Sequence, residues 1–134
     1  MDKTTLVERD FKDGEILIKE LDKAHINVHS ALWLYNSESD SWRLIIASKI
    51  ADFSSPKKAY SHISKVLKDM KNSGVSVGFS LENITVISPN HPLIMILSQA
   101  IHTGPNDING IRFSRNRIGN SYIEDAFIYR VQPA

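Results

Sequence analysis

The chain contains no cysteine. That excludes disulfides, thiolate metal sites and thiol nucleophiles, and it suits a reducing, cytoplasmic setting. Long apolar runs are missing as well. Stretches such as Leu93–Leu97 fall far short of the ~20 residues of a membrane span, so no membrane partner is expected. The opening MDKTTLVERD is too polar for a secretory signal, which leaves the Asn83-Ile84-Thr85 sequon without meaning. No charge dominates: the net charge of +1 gives no whole-molecule field to attract nucleic acid or lipid. There is no Walker A loop and no Gly-x-Gly-x-x-Gly, and no serine sits in a Gly-x-Ser-x-Gly elbow. Repeats, low-complexity tracts and linkers are also lacking, and 134 residues is the usual size of one domain. A single domain spanning residues 1–134 is therefore expected, with no cofactor implied.

What is present is clearest at residues 55–74, SPKKAYSHISKVLKDMKNSG. Ser55 is suited to N-cap a helix and Pro56 to its first turn, while Gly74 fits the left-handed residue that closes one. At about 100° per residue, Ala59, Tyr60, Ile63, Val66, Leu67 and Met70 gather on one side. Lys57, Lys58, Lys65, Lys68 and Lys71 gather on the other, opposed only by Asp69. The spacing predicts an amphipathic helix lying on a core with a cationic outer face.

Around it the pattern reads α-β-β-α-β-α-β-β. A first helix is expected from Phe11 to Ala24 with Asp10 as N-cap, weakened by Gly14, and residues 1–9 either extend it or fray. Val28–Tyr35 and Trp42–Ser48 read as a hairpin around the polar turn 37–40. Both strands are apolar at consecutive positions, which predicts a sheet covered on both faces. Trp33, Tyr35 and Trp42 are then core anchors, or an interface if one face is open. Val75–Leu81 reads as an extended lead-in to a short strand, Ile84–Ser88. A well-buried helix is expected over His91–Ile101. Ile111–Arg117 and Tyr122–Val131 form a second hairpin about Gly119-Asn120. In that register Phe113 faces Ala126, Arg115 faces Glu124 and Arg117 faces Tyr122. The fold class is α/β, with α+β as the variant: one mixed sheet of about five strands with helices on its faces.

Chemistry is harder to find. Charge is uneven along the chain: residues 1–40 hold five bases and nine acids, residues 41–70 six and two, and residues 71–134 five and four. A self-contact could pair the acidic and basic parts. The lysine face (Lys57, Lys58, Lys65, Lys68) and two hairpin arginines, Arg112 and Arg117, are the candidates for phosphate contact. Asp40, Lys49 and Asp52 are the nearest approach to a metal-dependent nuclease site, without its tight spacing on one strand. Ser48, Asp52 and His91 are the nearest to a hydrolytic triple. His25 and His29 have a ligand-like spacing, but the first helix is expected to end between them and no third ligand is evident. The leading expectation is a non-catalytic interaction or assembly module with a protein partner, or a second copy of itself. A nucleic-acid-associated protein and a small nuclease or hydrolase are the alternatives.

Overall fold

The computed structural model describes residues 4–53 and 55–133. The elements run α1 (Glu8–Lys23), β1 (Ser30–Asn36), β2 (Ser41–Ala47), α2 (Ile50–Phe53), α3 (Pro56–Asn72), a 3-10 turn (Leu81–Asn83), β3 (Ile84–Ile87), α4 (Pro92–Leu97), β4 (Ile111–Ile118) and β5 (Ser121–Val131). The strands form one mixed sheet in the order β3-β2-β1-β5-β4. Only β2 and β3 run parallel; the other neighbours are antiparallel.

Successive side chains of a strand point to opposite faces, and here both faces are dry. Ala31, Trp33, Leu44, Ile46 and Tyr129 meet Leu17, Ile18 and Leu21 of α1, and Ile63, Val66 and Met70 of α3, in one cluster. Leu32, Ile45, Ala126, Ile128 and Val131 meet Ile94 and Leu97 of α4 in the other. The consecutive apolar residues of β1 and β2 feed these two layers in turn. Trp33 and Trp42 are buried core, not interface.

A register shift between Ala31 and Leu32 leaves Tyr129 as an extra residue in β5. Such a bulge re-aims a side chain. The Tyr129 hydroxyl accepts from Trp33 Nε1 at 3.1 Å and donates to the Phe11 carbonyl at 2.6 Å. Helix α1 can come this close because residue 14 is glycine; a Cβ there would lie 2.8 Å from Tyr129 Cζ.

Element ends follow local chemistry. Ser55 caps α3 by accepting from the Lys58 amide, with Pro56 in the first turn. Gly74, at φ +85°, closes it: its amide bonds the Lys71 carbonyl and the Val75 amide bonds that of Met70. Helix α1 departs from expectation at its start. It opens at Glu8, and Asp10 lies inside the first turn, where its carboxylate accepts from the Val7 amide at 2.9 Å. Residues 8–10 thus extend the helix, whereas residues 1–3 lie outside the described residues.

The expected helix His91–Ile101 is also corrected, and so is its burial: Ile94 and Leu97 are buried, but Met95 is exposed. The helix stops at Leu97 because the chain tightens: the Gln99 and Ala100 amides bond carbonyls three residues back. The Ser98 hydroxyl takes the Met95 carbonyl, and His102 Nε2 contacts the Ser98 carbonyl. No helix among the described residues is long and apolar enough to cross a membrane.

Candidate functional site

The nuclease-like residues do not converge. Asp40 precedes β2 and Lys49 and Asp52 follow it. At about 3.3 Å per residue, β2 alone holds them roughly 20 Å apart. Asp40 is also engaged, accepting from the Tyr35 hydroxyl at 2.6 Å. That hydrogen bond, then burial and the nearby charges of Asp40 and Glu124, raise Tyr35 above the ordinary tyrosine value.

The hydrolytic triple fares no better. Ser48 is buried, and its hydroxyl accepts from the Ile50 amide. His91 caps α4 through Nδ1, which accepts from the Leu93 amide at 3.1 Å. The ring proton then belongs on Nε2, leaving no lone pair there to act as a base. His25, at φ +60°, is the left-handed residue that ends α1. No group of three His, Asp or Glu among the described residues could hold a metal ion.

The two basic elements lie far apart. Strand β4 is one edge of the sheet, while α3 packs beside β3, the opposite edge. Arg112 is already engaged: it forks onto Asp125 at 2.7 and 2.6 Å and lies 5.7 Å from the Trp42 ring. The bond to Asp125 raises its already high pKa. Arg117 sits 6.0 Å from the Tyr122 ring. The expected cross-strand register holds, including Phe113 with Ala126 and Arg117 with Tyr122. Arg115 falls opposite Glu124 in that register, but the ion pair expected of them is not made. Arg115 turns to φ +50°, and Glu124 Oε2 has no hydrogen-bond partner.

The lysine face is different, because it borders a recess. Between α3 and residues 75–81 lies a cavity of about 400 Å³. Its floor is apolar, built by Leu67, Met70, Val77, Phe79 and Leu81, and its rim carries Lys68 and Lys71. A second hollow of about 600 Å³, lined by Arg43, Tyr60, Glu82 and Ile84, shares Ser80 and Leu81 with it. The two adjoin at these residues beside α3, and together they are called the furrow. From Tyr60 to Lys71 it covers eleven helical steps, about 16 Å.

Helical geometry sorts the lysines. At about 100° per residue, Tyr60, Ser64, Leu67, Lys68 and Lys71 share one stripe with Lys57. Lys58 and Lys65 turn about 80–100° beyond Lys57. Lys12, Lys19 and Lys23 on α1 each have a carboxylate within 4 Å. Among the described residues Lys68 and Lys71 have none. The wall opposite α3 is fixed by the buried Asp13, which accepts from the Gly78 amide at 2.8 Å.

The sequence marks Lys68 as a candidate, and Tyr60 and residues 75–81 only as structural elements. The alternation Val75-Ser76-Val77-Gly78-Phe79-Ser80 carried a signal of the wall: it reads as an extended stretch with one apolar side. Nothing marked Arg43, whose role depends on β3 lying next to β2.

A further hollow of about 340 Å³, lined by Phe11, Phe127, Tyr129, Glu8 and Glu15, lies on the other flank of α1. Its carboxylates already face Lys12 and Lys19 at 3.8 and 3.9 Å, so it carries little net charge. Fold and furrow together define a single α+β domain with a cationic, apolar-floored cleft. No family model, curated protein or solved structure matches the chain.

Proposed function

We propose that the chain is a non-catalytic protein-interaction module, and that its docking surface is the furrow along α3. The occupant is an acidic, apolar segment of a protein partner. One observation carries this reading: two hollows that adjoin at Ser80 and Leu81 combine an apolar floor with a rim of Lys68, Lys71 and Arg43, where Glu82 is the single lining carboxylate. A floor of this kind favours apolar side chains, and rim cations favour carboxylates and discriminate against basic partners. Nucleic acid fits less well. The floor offers one buried phenylalanine, whereas strand-binding surfaces use several exposed rings for base stacking. Arg112 and Arg117 lie at the other sheet edge. The cysteine-free sequence suits action in the cytoplasm.

The test is fluorescence anisotropy with a labelled hexapeptide of alternating leucine and aspartate. K68E/K71E should weaken binding about tenfold or more, since two rim charges are reversed. K58E/K65E, equal in charge change but at lysines that line neither hollow, should alter it less, by about two- to threefold. A leucine–lysine hexapeptide should not bind. Equal binding of both peptides, or tight binding of a single-stranded oligonucleotide lost in K58E/K65E, would overturn the reading.

A further inference from the structure

The furrow ends on β3, and the outer edge of β3 is held in an unusual way. In a strand, the N–H and C=O of one residue point to the same side, and sides alternate along the chain. The Ile87 carbonyl accepts from the Ser48 amide, on the β2 side. Thr85 and Ile87 therefore face β2, and Ile84 and Val86 face outward. Both outward residues are occupied by side chains. The Ile84 carbonyl accepts from Arg43 Nη2 at 3.0 Å, and the Val86 amide donates to the Tyr60 hydroxyl at 3.1 Å. Arg43 is steadied by donating from Nε to Thr85 Oγ1 at 2.6 Å. Arg43 and Tyr60 both line the open hollow at this end of the furrow.

We infer that the guest segment pairs with the outer edge of β3 as a sixth strand, taking over the main-chain groups that Arg43 and Tyr60 now hold. This rests on the furrow being the docking surface. The exchange is nearly balanced. Two side-chain bonds are replaced by two main-chain bonds, so affinity comes from the apolar floor and the rim charges. The released guanidinium gains a partner in a carboxylate of the acidic guest, which a neutral guest does not supply. Until then the two side chains close an edge that would otherwise invite pairing with any exposed strand.

The experiment uses the intact chain, isotopically labelled, with the leucine–aspartate hexapeptide. NMR should show contacts from peptide amide and Hα protons to the backbone of Thr85 and Val86. Y60F removes one competitor for the Val86 amide and should tighten peptide binding about fivefold, the equivalent of one neutral hydrogen bond. Unchanged Y60F affinity, with peptide contacts confined to Leu67 and Val77 side chains, would overturn strand addition while leaving the furrow as the docking surface. Failure of the peptide to bind wild type at all would overturn both. Should Y60F prove poorly folded, Arg43→Gln serves in its place. Because Arg43→Gln also removes a rim charge, it should weaken binding while the contacts to the Thr85 and Val86 backbone persist; their absence from both wild type and this variant would overturn strand addition.

Discussion

Gly14 shows how a single position can reverse its meaning between sequence and structure. In a helix interior, glycine is a weakness of up to ~1 kcal/mol against alanine. Here its missing Cβ is the space that Tyr129 fills. Gly14→Ala should therefore destabilise the protein by about 1–2 kcal/mol despite the gain in helix propensity, because overpacking outweighs it. Urea unfolding will show the sign. Tyr129→Phe in the same background should recover part of the loss, since the hydroxyl is among the atoms in the way.

The same side chain sets an alkaline limit. Burial, offset in part by the hydrogen bond from Trp33, pushes the Tyr129 hydroxyl well above the ordinary value of 10.0. Above pH 10 the unfolded chain loses this proton while the folded chain keeps it. Stability from this residue is thus full below pH 10 and declines above it, by about 1.4 kcal/mol per pH unit. Wild type should lose stability more steeply than Tyr129→Phe between about pH 10 and about pH 12. Neither effect was legible in the sequence. Both arise from residues about a hundred positions apart, joined by a bulge that no local pattern announces.

Elements were legible where their ends are written in short-range chemistry. Ser55, Pro56 and Gly74 mark α3 because caps act within a few residues. The polar turn at 37–40 and Gly119-Asn120 fix two hairpins and their registers for the same reason. Helix α1 ends within a residue of the expected Ala24, although a histidine does the work usually given to glycine. His25 sits at φ +60°, with its amide on the Asp22 carbonyl and the Ile26 amide on that of Leu21. The bonding pattern is that of Gly74, so the two sites predict opposite outcomes. His25→Gly relieves the left-handed strain and should stabilise by about 0.5–1 kcal/mol, whereas Gly74→Ala should cost about 1 kcal/mol. Thermal melts of the pair will check both signs. Helix α4 was overextended for a related reason: its apolar pattern continues to Ile101, but the backbone bonding tightens after Leu97. Periodicity does not report which carbonyls are taken.

At the scale of the whole molecule, the fold class was readable and the arrangement of charge was not. Double coverage of the sheet follows from consecutive apolar residues in β1 and β2, and the structure has it. Strand order does not follow from any local pattern, and strand order decides that Arg43 reaches the Ile84 carbonyl while the arginine hairpin lies across the sheet.

Arg130 shows the same dependence on distant neighbours. It is 1% exposed, forks onto Asp22 of α1 at 3.1 and 2.9 Å, and donates to the carbonyls of Val28 and Asp107. One side chain thus joins the last strand to the first helix, to the approach of β1 and to the loop before β4. The partners are unequal: Asp22 is one-third exposed and can rehydrate alone, whereas Arg130 cannot. Asp22→Ala should therefore cost about 3 kcal/mol or more, because it strands a buried charge. Adding Arg130→Met removes that charge and should recover part of the loss in urea unfolding, although two carbonyls lose a donor. If the double variant is no more stable than Asp22→Ala, the bonds to Val28 and Asp107 outweigh the ion pair, and Arg130 serves the fold as a main-chain clamp.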